Sequence, residues 1–149
     1  MSYILNKLTS KSEIDSVIRN VEDKVVVLRF GKDTDPVCMQ QDDILFKCER
    51  LLSKMAQIYV IDVDDVPFYC QYFDITYIPS TIFFFNAHHM KIDAGTPDHS
   101  KWVGAFYTKE DFIDLIETIY RGALYGHVII TSPIPKEHVT QYDLLYKDI

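Results

Sequence analysis

The sequence predicts an α/β domain in which a mixed central sheet is flanked by helices. Two apolar stretches, Val25 to Phe30 and Ile58 to Val63, are rich in the β-branched and bulky residues typical of buried parallel strands. A helical pattern lies between them, so we expect a strand–helix–strand unit with both strands in one sheet. A third strand, Ser80 to Phe85, is followed by a turn over Asn86 to His89 and a returning strand over Met90 to Ala94, which adds an antiparallel hairpin.

The first and last helices are predicted from capping residues that precede apolar residues at helical spacing. Ser10 and Glu13 form a capping box, which places the first helix at about residues 11–22. Thr108 is the expected N-cap of the final helix, and Gly122 is suited to end it in the left-handed conformation.

The second helix follows the central strand directly. Gly31 ends the strand, Asp35 can accept hydrogen bonds as the N-cap residue, and Pro36 fits the first helical position. We expect this helix to run from Pro36 to about Met55. Its buried stripe is expected to comprise Ile44, Leu45, Cys48, Leu51, Leu52 and Met55.

A short aromatic helix is predicted to begin near Pro67. Asp62, Asp64 and Asp65 precede it, and we expect them to cap this helix rather than bind a divalent metal, because a further carboxylate at ligand spacing is missing. Most of the aromatic rings of this helix are expected in or near the core. They belong to Phe68, Tyr69, Tyr72 and Phe73.

Charge, cysteine content and histidine spacing narrow the classes of function. A net charge of −7 disfavours direct binding to a phosphate backbone, and no apolar run is long enough to span a membrane. The three cysteines are expected to be thiols of a soluble intracellular chain rather than a secreted disulfide framework. His88, His89 and His99 lack the spacing and the nearby cysteines typical of zinc sites, so we expect neither a metal nor a cofactor.

Residues 124–149 form an extension beyond the domain predicted for residues 1–123. The extension contains Val128, Ile129 and Ile130 in succession and is too apolar for a free tail. It packs back on the domain or supplies a surface for a partner, and its pattern favours neither. The candidate residues of a partner surface are Tyr142, Leu144, Leu145 and Tyr146.

The candidate site lies where the central strand ends and the second helix begins. Unpaired N–H groups and the helix dipole at such a place stabilise an anion, for example a thiolate. The segment Thr34-Asp35-Pro36-Val37-Cys38 resembles the active site of thioredoxin-fold proteins, with Asp35 at the position of the first cysteine and Cys38 at that of the second. Ile78-Pro79 resembles the segment of that fold whose proline is cis and faces the redox pair.

Longer motifs resemble a more specific family. Arg-Phe-Gly ahead of Asp-Pro-Val-Cys-Met, with IYVIDVDDVPFY and FFFNAHHMKIDAGT further along, is similar to the Dim family of thioredoxin-like pre-mRNA splicing proteins. The resemblance covers about residues 1–123. It implies a thioredoxin-like fold with a C-terminal extension, and a nuclear role in the spliceosome and its tri-snRNP. The implied partners are spliceosomal proteins, including a helical-repeat protein that bridges the tri-snRNP.

The resemblance also implies a redox-inactive interaction module rather than an enzyme. Thiol–disulfide exchange needs an attacking thiolate and a second, resolving thiol, and Asp35 supplies neither. Arg29 stands where thioredoxins bury an acid, and a guanidinium cannot act as a general base. The alternative is a residual thiol redox protein or redox sensor that uses Cys38. Ten tyrosines and the apolar tail also make a homodimer an open alternative to a monomer.

Overall fold

The computed structural model describes residues 5–140, which form four α-helices and seven strands. The strands are β1 (Asn6–Leu8), β2 (Val25–Gly31), β3 (Ala56–Asp62), β4 (Ser80–Phe85), β5 (His88–Asp93), β6 (Trp102–Val103) and β7 (Ile129–Thr131). The helices are α1 (Lys11–Asn20), α2 (Pro36–Glu49), α3 (Pro67–Tyr72) and α4 (Lys109–Leu124). Two 3-10 turns, Val63–Asp65 and Lys136–His138, complete the description. The candidate partner-surface residues Tyr142, Leu144, Leu145 and Tyr146 lie outside the described residues.

The strands form one mixed sheet in the order β1-β3-β2-β4-β5-β7, with β6 paired to the end of β4. β1, β2 and β3 are parallel, and β4 runs antiparallel to both β2 and β5. The prediction of a mixed central sheet with β2 and β3 as parallel inner strands is therefore confirmed. The carboxyl ends of β2 and β3 lie side by side, since Gly31 is in register with Asp62.

Helices cover both faces of the sheet because inner-strand residues point alternately to opposite sides. Val25 and Val27 of β2 belong to the core cluster packed by α2 and α4. Val26 and Leu28 belong to the second cluster, which is packed by α1 and α3. Every residue of β2 is buried, as expected for a central strand.

The second helix is shorter than the predicted span from Pro36 to about Met55. α2 ends at Glu49, and the following turn places Leu51 in solvent with 68% of its surface exposed. The chain has to reverse here because Met55 already lies beside β2, where its carbonyl accepts a hydrogen bond from Val25 N–H at 2.7 Å. The predicted burial of Leu51 is therefore wrong, whereas Cys48 is fully buried as predicted.

Helical geometry divides the aromatic residues of α3 between the core and the surface. Tyr69 and Phe73, four residues apart, are buried, but Phe68 and Tyr72 are 51% and 69% exposed. The expectation that most of these rings are near the core holds for only half of them. Asp62 caps the 3-10 turn that follows β3 by accepting from Asp64 N–H at 2.8 Å, while α3 itself has no side-chain cap.

The hairpin between β4 and β5 turns over two residues rather than four. Asn86 and Ala87 both have positive φ, 48° and 69°, as two-residue hairpin turns require. β5 consequently begins at His88, two residues earlier than predicted.

The described part of the extension packs on the domain as a strap, which we define as residues 128–140. β7 lies parallel to β5, and Ile130, Ile134 and Val139 are buried in the α2–α4 core. Gly122 is part of α4 and does not end it. A Cβ atom at this position would lie 2.6 Å from Ile130 Cγ2, so the glycine allows the strap to approach the helix.

Candidate functional site

The site begins at the junction of β2 with α2, where Asp35 caps the helix. Its Oδ2 accepts a hydrogen bond from Cys38 N–H at 2.9 Å, and Pro36 follows at the start of the helix. This hydrogen bond lowers the pKa of the Asp35 carboxyl below its ordinary value. The helix N-terminus therefore stabilises a carboxylate at the position that a thiolate occupies in thioredoxins.

Cys38 lies inside this junction as a protonated thiol. Its side chain has no exposed surface, and the pKa of the thiol is raised from 9.0 to about 11, mainly by burial. Its sulfur accepts a long hydrogen bond, 3.5 Å, from Lys32 N–H. A Cβ atom on Gly31 would lie 2.6 Å from this sulfur, so the glycine leaves room for the thiol to pack against the strand.

Arg29 forms the buried charged part of the site. Its Nε and Nη2 donate to the two carboxylate oxygens of Asp42 on α2 at 2.8 and 2.7 Å. Nη2 also donates to Asp33 at 3.1 Å, and Nη1 to the carbonyl of Ile61 at 3.3 Å. A guanidinium has no lone pair with which to accept a proton, so Arg29 supplies position and charge but cannot act as a general base.

Pro79 lies at the same end of the sheet as Asp35, where β2 finishes and β4 begins. The Ile78–Pro79 peptide is cis, as the resemblance implies, and Ser80 is in register with Phe30 near the end of β2. The carbonyl of Pro79 accepts a hydrogen bond from Gly104 N–H at 2.8 Å, which holds the loop after β6 at this end of the sheet. Asp35, Cys38 and Pro79 thus all lie near the end of the sheet where β2 finishes.

Comparison with known proteins places the chain in a family. The family described as Mitosis protein DIM1 matches residues 4–136. The chain belongs to the DIM1 family. It is similar to Thioredoxin-like protein 4B of Mus musculus, with 63% identity over 149 residues and 100% of both chains covered. Spliceosomal protein DIB1 of Eremothecium gossypii is 34% identical over 148 residues, which cover 99% of this chain and 98% of that one.

Solved structures identify the fold of this DIM1-family chain. Chloroplastic thioredoxin z superposes with a TM-score of 0.64 over 82% of this chain and 99% of that chain, at 18% identity. The predicted thioredoxin-like fold is therefore confirmed.

The histidines of the chain lie in separate environments. His89 is partly buried, and its ring stacks on Phe84 while Nε2 lies 2.8 Å from the carbonyl of Ser100. Burial lowers the pKa of His89. Within residues 5–140, no group of three or more His, Cys, Asp or Glu side chains comes together in a way that could hold a metal ion. In the same range, no helix combines the length and the hydrophobicity needed to cross a membrane.

Two features of the surroundings were missed from the sequence. Asp42 is the main partner of Arg29, and the only signal for it was an arginine in an otherwise apolar strand, which requires a buried acceptor somewhere. The exposure of Phe68 and Tyr72, whose stacked rings lie 6.1 Å apart, was not predicted because helical spacing alone does not say which side faces the sheet.

Proposed function

We propose that this DIM1-family chain is a redox-inactive thioredoxin-fold interaction module that acts in pre-mRNA splicing in the nucleus. The observation that carries the proposal is the match along nearly the whole chain to a relative named as a spliceosomal protein. The names of other relatives, spliceosomal DIB1 proteins and mitosis protein dim1, support the same process and a link to the cell cycle.

The geometry of the site supports the redox-inactive part of the proposal. In thiol–disulfide exchange a thiolate attacks one sulfur of a disulfide, the other sulfur leaves as a thiolate, and a second thiol then resolves the mixed disulfide. Asp35 cannot attack, and Cys38 is buried and protonated at neutral pH. Arg29 is held by Asp42 and cannot accept a proton.

The partners that we propose are spliceosomal proteins rather than RNA, because the net charge of −7 opposes contact with phosphates. Among them we expect a helical-repeat protein that bridges the tri-snRNP. We assign part of the contact surface to Tyr142, Leu144, Leu145 and Tyr146, because aromatic side chains are enriched at interfaces and the two leucines lie between the tyrosines in the sequence. A homodimer that uses the same apolar residues is a further proposal.

The splicing role is tested by capture from nuclear extract. The tagged full chain is the bait, captured proteins are identified by mass spectrometry, and light scattering on the pure protein reports its oligomeric state. We expect the wild-type chain and Cys38→Ser to capture spliceosomal proteins. We expect the variant in which Leu144 and Leu145 are both replaced by Asp to capture fewer of them. Capture of no spliceosomal protein by the wild type would overturn the proposal.

The redox-inactive part is tested separately by insulin reduction with a dithiol reductant. We expect no turnover above the uncatalysed rate, because Asp35 stands at the place of the attacking thiol and Cys38, at the second position, is buried and protonated. Turnover that disappears in Cys38→Ser, together with rapid alkylation of Cys38 in the native protein, would establish the alternative, a redox protein or sensor that uses this thiol.

A further inference from the structure

An open groove of about 510 Å³ lies between α2 and β1, and it shares Asp33 and Asp42 with the carboxylates that bind Arg29. We call it the α2–β1 groove and define it by its apolar lining, Leu5, Met39, Phe46 and Val60. Leu5 and Val60 are buried and form the floor, whereas Met39 is 56% exposed on the helix side. An exposed methionine beside an apolar floor is typical of surfaces that adapt to a bound side chain.

Carboxylates outnumber cations along the walls of this groove. Asp33, Asp42 and Asp43 line it together with Lys7, while the charge of Arg29 lies fully buried behind the wall. Asp33 and Asp43 each pair with a lysine of this chain, but their side chains are 54% and 60% exposed. Asp33 also accepts from the buried Arg29 at 3.1 Å, whereas the pair of Asp43 with Lys47 is exposed and weak, so Asp43 is the carboxylate more able to bind an incoming cation.

The strand that borders the groove is an edge of the sheet. Within residues 5–140, β1 has β3 as its one neighbouring strand, through the register Asn6 to Tyr59. The other side of an edge strand offers backbone N–H and C=O groups to an extended peptide. A segment that adds to this edge would direct alternate side chains toward α2, into the groove.

We propose that the α2–β1 groove docks an extended segment of a protein partner in which an apolar residue is flanked by basic ones. The apolar side chain packs between Met39 and Phe46, and the basic side chains reach Asp33 and Asp43. This inference rests on the proposed function as a protein-binding module and adds the place and the chemistry of the partner. Charge complementarity selects the basic occupant, both at the groove and through the net charge of −7 of the whole chain.

The test uses the full chain, labelled with ¹⁵N, and a short synthetic peptide in which a Leu has one Lys two positions before it and another two positions after it, with Ser between them, so that all three side chains share one face of the extended peptide. A matched peptide carries Glu in place of every Lys. We expect the Lys peptide to shift amide resonances of β1 and of α2 around Met39 and Phe46, with an affinity that falls as salt rises. We expect the Glu peptide to leave these resonances unchanged.

Two charge reversals provide a matched pair of variants. Asp43→Lys reverses a carboxylate of the groove, whereas Asp114→Lys makes the same change on an exposed position of α4 that does not line it. We expect Asp43→Lys to weaken binding of the Lys peptide by about fivefold and Asp114→Lys to leave it nearly unchanged. Met39→Ala should also weaken binding, with Leu51→Ala as the control on an exposed apolar residue.

Three results would overturn the inference. They are shifts confined to α3 with its exposed Phe68 and Tyr72, equal binding of the two peptides, and equal effects of Asp43→Lys and Asp114→Lys. Shifts of the groove resonances with protein concentration alone would assign the groove to a second copy of the chain and overturn it as well. Each of these outcomes leaves the proposed function standing if the wild-type chain still captures spliceosomal proteins from nuclear extract.

Discussion

Single residues decide which charge the N-terminus of α2 stabilises. In this chain the charge belongs to Asp35, whose carboxylate accepts the N–H of Cys38, and the thiol itself is buried and neutral. Behind it, Arg29 is neutralised by a carboxylate from the same helix. The contacts of Arg29 with Asp42 hold the helix to the strand.

The buried thiol of Cys38 predicts a loss of stability in alkali. The folded protein keeps the thiol proton up to a pKa of about 11, while the unfolded chain loses it near 9.0. The unfolded state therefore binds fewer protons between these values, and the free energy of unfolding falls as pH rises through this window. Urea unfolding across this range should show a shallower fall for Cys38→Ser. Identical profiles for the two proteins would contradict the assignment.

The pair of Arg29 with Asp42 predicts different costs for neighbouring aspartates. Asp42→Ala leaves a buried guanidinium without its bidentate partner, which should lower the free energy of unfolding by about 3 kcal/mol. Asp43→Ala removes an exposed ion pair with Lys47 and should change the free energy of unfolding by less than about 0.5 kcal/mol. Denaturant unfolding of both variants measures the difference. Equal effects would mean that Arg29 does not depend on Asp42.

The sequence predicted the cap and the thiol of the site but not their electrostatic support. The roles of Asp35 as N-cap and of Pro36 at the helix start depend on contacts within one turn of helix, so they could be predicted from the sequence. Asp42 meets Arg29 only because α2 lies over β2, a contact across 13 positions of the chain that one-dimensional patterns do not encode.

At the scale of elements, long strands and capped helices were predictable and short edge strands were not. β2 and β4 each carry four apolar residues in succession, whereas β1, β6 and β7 have two or three residues each and no detectable period. Their strand conformation depends on the neighbouring strand that they join. The predicted end of α2 was wrong for the same reason. Leu51 continues the apolar stripe of the helix in the sequence, but tertiary contacts reverse the chain before it.

The contact between α4 and the strap predicts a change of sign in a double-mutant cycle. Gly122→Ala places a methyl group against Ile130 and should lower the free energy of unfolding by about 1–3 kcal/mol. In an Ile130→Ala background the clash is gone, and Gly122→Ala should raise the free energy of unfolding by up to about 1 kcal/mol, because alanine has the higher helix propensity. Denaturant unfolding of the four proteins gives the coupling. Additive effects would show that the strap does not press on the helix.

At the scale of the whole molecule, the chain has a thioredoxin-like fold and is proposed to use it for protein binding. It superposes on thioredoxin z with a TM-score of 0.64, and the resemblance read from the sequence puts Asp35 in the place of an attacking cysteine. This separation of fold from chemistry makes the fold predictable from long motifs and leaves function to individual positions.

This separation predicts that a disulfide can be rebuilt without an enzyme. In Asp35→Cys the new thiol stands three positions before Cys38 at the helix start, and the Cα atoms should lie within the roughly 7 Å that a disulfide requires. Mild oxidation should then give one internal bridge, detected by mass and by loss of free thiols, with Asp35→Ser as the control. Insulin reduction should stay near the uncatalysed rate, because Arg29 still occupies the place of the acid. Failure to form the bridge would refute the alignment of this segment with thioredoxins.

The strap also determines when each side of the sheet can be completed as the chain leaves the ribosome. The buried residues on the α1–α3 side all lie between Leu8 and Phe84, whereas the α2–α4 side also needs Ile130, Ile134 and Val139. During translation, all buried residues of the α1–α3 side are therefore made early, whereas the α2–α4 side is completed only when residues 130–139 have been made. A premature stop codon just after Leu124 would leave the four α-helices of the described residues 5–140 encoded, yet the product would present an unfilled apolar face to chaperones and proteases.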